Sequence, residues 1–349
     1  MKYFINGYLF SQRQTGVMRY AKEILNELDP LVFDKYIELV VPSYLNELPK
    51  YKNIRVVKYG KIKGNIWEQI SFRKYVKKHK GMSINFNNTW PYFGKGIYFI
   101  HDIAYKLHPE FGSSFYGKMS NIYHRILFRK AAREKTPIVT VSYFSKYQLV
   151  DFYHINPDRI HVISCAWQHM DRVGCDESVF KRFCLNKGEY YFSLGSVSKM
   201  KNTKWTLEVA KKNPNLTFVI SGAKPLGTKG EFIATQNVIF TGFLKDEEIK
   251  SLIIGCKAFI YPSIYDGFGI PPLEAMSLGA KVICSSCASL AEVYGSTVIQ
   301  IDAYDTDIDL DAIQKRKVAD SKFALDKYSW KSSALKLYNL LYSNNGGNE

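Results

Sequence analysis

Residues 258 to 295 constrain this chain more than any other stretch. Ala258-Phe259-Ile260-Tyr261 is a short apolar run that reads as a buried strand, ended by Pro262 and Ser263. The loop Asp266-Gly267-Phe268-Gly269 follows, then Pro271-Pro272, then a predicted helix from about Leu273 to Leu278, stopped by Gly279. Ala280 to Cys284 is the next strand. Strand, glycine loop, helix and strand form one βαβ unit, and ligands of such units gather beyond the carboxyl end of the strand. The loop puts Asp266 and the backbone N–H groups of Gly267, Phe268 and Gly269 at that rim. Glu274 follows on the first turn of the helix. Carboxylates accept hydrogen bonds from vicinal hydroxyls, while N–H groups and a helix dipole attract phosphate. The combination suits a sugar attached to a nucleoside diphosphate.

The stretch from Tyr261 to Gly295 resembles the donor-binding signature of glycosyltransferase family 4, the retaining nucleotide-sugar transferases of GT-B fold. That family carries a Glu-x7-Glu pair around its Gly-Phe-Gly loop, and here Asp266 and Glu274 hold the two positions. The shorter Asp266 reaches less far, which implies a different sugar or hydroxyl pattern. Further motifs carry the same resemblance. Thr15-Gly16-Val17-Met18-Arg19-Tyr20 opens a helix and is similar to the family's first loop, where Gly16 would let a phosphate or the acceptor approach the backbone. His101-Asp102 follows a strand at Ile97 to Ile100, and the family's His faces the donor sugar and its β-phosphate. Val141-Ser142 and Ser145 resemble a strand-to-helix Val-Ser-x-x-Ser. Gly195-Ser196-Val197-Ser198-Lys199-Met200-Lys201-Asn202 resembles Gly-Thr-x-x-Pro-Arg-Lys-Asn, with Lys201 on the diphosphate and Met200 where an Arg is usual. Phe243 and Leu244 match the loop that lies against the nucleotide base.

These motifs recur from Gly16 to Trp330. The resemblance therefore implies an α/β chain of GT-B architecture, two Rossmann-like domains with parallel sheets facing a central cleft. Residues 1–170 are expected on the acceptor side and 171–329 on the donor side, with helix 330–349 crossing back to the first domain. The implied catalytic residues are His101, Lys201 and Asp266. Gly16, Gly195, Ser196, Phe243, Leu244, Gly267, Phe268, Gly269 and Glu274 complete the implied donor site, along with Lys201 and Asp266. The departing phosphate would take the acceptor's proton, so no separate base, cofactor or metal is expected.

Bulk properties agree. A chain of 349 residues suggests two domains, each able to bury a core. No apolar run approaches the roughly 20 residues a membrane span needs, and Met1 to Gly7 lacks a secretory pattern, so the expected place is the cytoplasm. Six cysteines are too sparse for a disulfide scaffold. The overlapping Asp-x-Asp triplets from Asp305 to Asp311 read as a loop and helix start more readily than as a metal site. Net charge is +16 and uneven: residues 1–185 hold 29 basic against 15 acidic side chains, residues 186–349 hold 19 against 17. An anionic partner is implied for the first half. Two basic segments, Trp67 to Lys80 and Phe115 to Glu134, read as amphipathic helices, the second with an apolar stripe of Phe115, Met119, Ile122, Ile126 and Leu127. Either they face the core or they meet an anionic membrane.

The family occurs in bacterial surface-polysaccharide assembly, O-antigen and capsule included. The expected donor is therefore a GDP-, UDP- or dTDP-linked sugar, and the expected acceptor a saccharide, polyprenyl-diphosphate-linked, at the inner face of the plasma membrane. Two other readings stay open: a nucleotide-sugar epimerase of the same fold, and a non-catalytic nucleic-acid binder drawn by charge. The chain carries no helix-turn-helix, zinc-finger or RNP-type run, so no nucleic-acid partner is expected.

Overall fold

The computed structural model describes residues 1–12, 15–112, 114–195, 199–222 and 235–343. The chain forms two compact units, Met1–Cys165 with Trp330–Glu349, and Ala166–Ser329. The expected boundary at 170/171 moves back to Cys165/Ala166. The cause is local: Trp167 Nε1 donates to the Leu325 carbonyl (3.1 Å) and Gln168 Nε2 to that of Tyr328 (3.0 Å), so these residues pack into the second unit.

The first unit holds seven strands: β1 (Tyr3–Asn6), β2 (Ile37–Val41), β3 (Arg55–Lys58), β4 (Met82–Asn85), β5 (Gly96–Phe99), β6 (Ile138–Thr140) and β7 (Ile160–Val162). All pair in parallel, in the order β3-β2-β1-β4-β5-β6-β7. Strands covered on both faces read as unbroken apolar runs, and Ile37–Val41 is buried throughout. Its one acid, Glu38, is satisfied by the hydroxyls of Tyr75 (2.7 Å) and Tyr36 (3.0 Å). β4 was not expected, because polar Ser83 and Asn85 interrupt the pattern. Asn85 is fully buried, donates to Ser83 Oγ (2.8 Å) and accepts from Asn6 Nδ2 (3.3 Å).

The order reverses between β1 and β4, the point where such sheets open a crevice. Glu68 lies there, 1% exposed, accepting from Asn6 Nδ2 (2.7 Å), Thr89 Oγ1 (3.1 Å) and Gln69 Nε2 (3.2 Å). Burial lifts its carboxyl to about 7 despite those donors. The segment expected as one helix from Trp67 is interrupted by a π turn, Glu68–Phe72, before Arg73–Lys78 continues as α-helix. An extra residue in a helical turn re-aims the side chains that follow it.

Helix Phe115–Arg133 starts on Ser114, whose Oγ accepts from Gly117 N (3.0 Å). Its last carbonyls are met by Arg159, which donates to Ala131 O (2.8 Å) and Ala132 O (3.1 Å). Leu127, Phe128 and Ala131 enter the core with Trp90, Tyr98 and Leu149. The expected apolar stripe divides here: Leu127 faces inward, while Phe115 (83%), Met119 (52%), Ile122 (52%) and Ile126 (46%) are exposed. Helix Trp330–Tyr342 belongs to this unit, where Trp330 packs edge-on to Tyr20 and Tyr3 Oη donates to Leu341 O (2.6 Å).

The second unit holds β8 (Tyr190–Leu194), β9 (Thr217–Ser221), β10 (Val238–Gly242), β11 (Ala258–Tyr261), β12 (Val282–Ser285) and β13 (Ile299–Ile301). These also run parallel, in the order β10-β9-β8-β11-β12-β13, so its switch point lies between β8 and β11. Trp205, Phe218, Ile260, Ile283 and Leu310 form its core.

Candidate functional site: a lysine clamp at the end of β11

Lys201 ends a 3-10 turn, Lys199–Lys201, that follows β8 across the switch point from β11. The turn is stitched to the loop after β11: the Met200 carbonyl accepts from Ile264 N (2.8 Å) and Ser263 Oγ (3.0 Å). Asn202, left-handed at φ 54°, caps helix Thr203–Lys212 and donates to Pro262 O (3.1 Å) and Ala303 O (2.8 Å). Those bonds aim Lys201 at Asp266. Lys201 Nζ donates to Asp266 Oδ1 at 2.5 Å and to Tyr261 Oη at 2.6 Å, and Tyr261 Oη donates to Asp266 Oδ2 at 3.0 Å. Burial, then the Asp266 charge, hold the Tyr261 phenol well above its ordinary pKa, so it stays neutral. Two of the three Nζ protons are thus used. The third has no partner among the described residues, and a quarter of the Lys201 side chain meets solvent. Asp266 is first a clamp on that ammonium, though a carboxylate's further lone pairs can still accept hydroxyls. Tyr261 was read from the sequence only as a strand residue; nothing in an apolar run marks its hydroxyl as part of a triad.

Glu274 lies on helix Ile270–Ser277, 7% exposed, with Oε1 2.7 Å from His169 Nε2. His169 is itself buried, in the 3-10 turn Gln168–Arg172. Residues 165 to 187 carry no clear periodicity in the sequence, and no local pattern announces a partner 105 residues away. The helix begins at Ile270, earlier than expected. Gly269, at φ +82°, turns the chain directly into it, and Pro271 and Pro272 occupy positions that need no N–H. A Cβ on Gly269 would lie 2.4 Å from Leu290 Cδ2. Phe268 is buried edge-on to Tyr328, centroids 5.0 Å apart, so its side chain packs and only its backbone is available to a ligand.

The other donor-side positions divide. Gly195 donates to Ser221 O (2.7 Å), and a Cβ there would meet Ile220 Cγ2 at 2.4 Å, so packing between β8 and β9 already requires its glycine. Phe243 stands 74% exposed beside half-buried Leu244. Ser196 lies outside the described residues. Asp309 caps helix Leu310–Gln314, accepting from Asp311 N and Ala312 N (3.0 Å each). Among the described residues no three His, Cys, Asp or Glu side chains converge.

In the first unit, His101 follows β5 and is 7% exposed. Its Nε2 lies 2.6 Å from the Phe86 carbonyl, and its backbone N–H donates to Asn88 Oδ1 (2.8 Å). A carbonyl only accepts, so Nε2 carries the proton. Burial lowers the imidazole pKa to about 4, opposed by that Phe86 bond, and leaves neutral Nδ1 as an acceptor. Such a ring can accept a hydrogen bond from a sugar hydroxyl at Nδ1. Gly16 begins helix Gly16–Leu28, capped by Thr15 Oγ1 accepting from Met18 N (3.3 Å). A Cβ on Gly16 would meet nothing within 4 Å among the described residues, so these do not demand glycine there.

Residues 176–315, the stretch that holds Lys201, Tyr261, Asp266 and Glu274, match the family model of glycosyl transferases group 1. The chain is a glycosyltransferase. This transferase is 24% identical over 332 residues to O-antigen chain mannosyltransferase B of Escherichia coli, with 84% of each chain covered. To O-antigen chain mannosyltransferase RfbU of Salmonella typhimurium it is 24% identical over 325 residues, covering 83% of this chain and 84% of that one. Its fold is GT-B: it matches WaaG, a glycosyltransferase involved in lipopolysaccharide biosynthesis, with TM-score 0.73 and 16% identity over 99% of this chain and all of that one.

Proposed function

We propose that this transferase moves a mannosyl or related hexosyl group from a nucleoside diphosphate to a saccharide hydroxyl with retention of anomeric configuration. The observation that carries the reading is the Lys201 ammonium, held by Asp266 and Tyr261 at the carboxyl end of β11 with one proton that has no partner among the described residues. The barrier in such a transfer is charge separation between a cationic sugar and a departing diphosphate. Lys201, the backbone of Gly267 to Gly269 and the start of helix Ile270–Ser277 stabilise the anion. Asp266 accepts sugar hydroxyls on its remaining lone pairs. Glu274, fixed by His169, holds the ribose, and Phe243 with Leu244 meets the base. The departing phosphate receives the acceptor's proton on the same face, so the scheme calls on neither a separate base nor a metal.

The acceptor in this reading is a polyprenyl-diphosphate-linked saccharide of bacterial surface-polysaccharide synthesis, met at an anionic membrane surface on the cytoplasmic side. The two O-antigen relatives and the basic excess in residues 1–185 support it. Melting against a panel of UDP-, GDP- and dTDP-sugars tests the donor, since ligand at about a hundred times its Kd adds roughly 2.7 kcal/mol to native stability. The responding donor is then incubated with a mannosyl saccharide and EDTA, and the product anomer is assigned by NMR. Absence of any melting shift, or an inverted product, would end the proposal.

A further inference from the structure

The first unit contains a cavity of about 500 Å³ that the transfer chemistry does not use. Lys106, Arg125, Arg129 and Arg133 line it with Phe152, Tyr153 and His154, and no carboxylate is among the lining side chains. Two of the cations are pinned. Arg125 donates to the carbonyls of Tyr105 (3.1 Å) and Lys106 (3.3 Å), and Lys106 Nζ to that of Phe152 (2.6 Å). Lys106 also sits over the Tyr153 ring, 4.6 Å from its centroid. Arg129 and Arg133 have no carboxylate partner among the described residues and are exposed. The four charges are not neutralised by one another: burial and the positive charges of Arg129 and Arg125 all push the Lys106 pKa down. Tyr153 Oη adds a buried hydroxyl with no hydrogen-bond partner among the described residues. Such a cluster costs folding free energy unless an anion compensates it.

What lies beside the cavity narrows the anion. Arg129 and Arg133 occupy the last turns of helix Phe115–Arg133, Arg125 lies one turn before them, and the exposed Phe115, Met119, Ile122 and Ile126 run through its first three turns. At about 100° per residue Arg133 falls on the line of that apolar stripe, which runs for roughly 16 Å. Lys118 stands exposed at its flank. One helix face thus passes from apolar to cationic along its length. A soluble phosphate has no use for four bare apolar side chains, whereas a lipid has both halves.

We infer that the cavity of Lys106, Arg125, Arg129 and Arg133 takes the phosphate group of an anionic membrane lipid, with the apolar chains lying along Phe115 to Ile126. The inference rests on the membrane part of the proposed function for its lipid but not on the donor site, and its test involves no transfer. Flotation with phosphatidylcholine vesicles, with and without about 30% phosphatidylglycerol, is read in roughly 150 mM salt for wild type, Arg129→Glu/Arg133→Glu and Ile122→Ser/Ile126→Ser. All four substituted side chains are solvent-exposed, so the variants should fold, and melting with the responding nucleotide sugar verifies an intact donor site. Wild type should bind only the anionic vesicles; the charge reversal should cut partitioning by about thirty-fold or more, and the serine pair should weaken it also. With the donor site saturated by the responding nucleotide sugar, added inorganic pyrophosphate should raise the melting temperature of wild type further and not that of the charge reversal. Vesicle binding unchanged by the charge reversal would overturn the pocket. Protection by pyrophosphate without vesicle binding would overturn the lipid, as would retention of single-stranded DNA at that salt by a protein that ignores vesicles.

Discussion

Removing the charge of Asp266 while keeping its shape tests whether the triad acts as a unit. Asp266→Asn leaves one oxygen near Lys201 but no carboxylate, and both side chains are less than a third exposed. Two unit charges about 4 Å apart attract by roughly 4 kcal/mol at an effective dielectric near 20. Rehydration of Lys201 returns part of that, leaving about 1.5–3 kcal/mol for a hydrogen bond between charged partners. If that energy serves to aim Nζ at the diphosphate, kcat/KM falls by about 10- to 150-fold. Lys201→Met removes the cation itself and should cost about 100- to 1,000-fold. The discriminating variant is the double. With Lys201 absent only the sugar contacts of Asp266 remain, so Asp266→Asn should then cost at least about fivefold less than it does with Lys201 present, a coupling of at least about 1 kcal/mol. Release of nucleoside diphosphate at subsaturating donor, with acceptor present, gives the four values, and thermal melting verifies that each variant is folded. Multiplicative losses in the double variant would refute the clamp and return Asp266 to an independent role on the sugar.

His169→Leu breaks the buried contact with Glu274 and should lower unfolding free energy by about 3–5 kcal/mol, with part recovered when Glu274→Gln is added; an unchanged denaturant midpoint would show the pair to be idle. Gly16→Ala should stabilise the protein by about 0.4–1 kcal/mol, since its Cβ meets none of the described residues, yet reduce transfer by about tenfold or more if a ligand approaches that backbone. Full activity in that variant removes Gly16 from the site. Two buried groups in the first unit should give opposite pH signatures. His101, lowered to about 4, binds its proton more weakly folded than unfolded, so its contribution is present above about 6.5 and lost as pH falls toward 4. Glu68, raised to about 7, holds its proton more tightly folded, so its contribution is full below about 4.5 and lost as pH rises through 7. Subtracting the stability–pH curve of Glu68→Gln from that of wild type should therefore show a fall of up to about 3 kcal/mol between pH 4.5 and 7. A flat difference would contradict the burial argument.

The donor-side elements were legible because their signals are local. A buried strand, a glycine at positive φ and two prolines at a helix start follow one another between Ala258 and Pro272. Lys201 was legible through its motif, but its partner was not, because Tyr261 meets it across 60 residues of sequence. The same distance problem hid His169. β4 was missed for a different reason: Ser83 and Asn85 are polar side chains satisfied by each other and, for Asn85, by Asn6 on β1 and the Ile97 carbonyl on β5, and a hydropathy pattern registers only their polarity. The 115–133 helix shows the converse failure. Its periodicity was clear, yet periodicity alone does not say which apolar side chains face inward, and four of the five were outside.

Helix Trp330–Tyr342 has a consequence for how the protein is made. It seals the flank of Gly16–Leu28 and is tied to Ser164 O by Ser333 Oγ (2.7 Å), so the sheet unit that begins at Tyr3 is closed by residues synthesised more than 160 positions after Cys165. At about 5–20 residues per second that interval lasts roughly 8 to 30 s on the ribosome. Throughout it Tyr20 lacks Trp330 and Tyr3 lacks the Leu341 carbonyl and the Tyr342 ring, and the intervening unit can fold around its own core first. The amino-terminal unit is thus the later of the two to be completed, although its first strand emerges before any other.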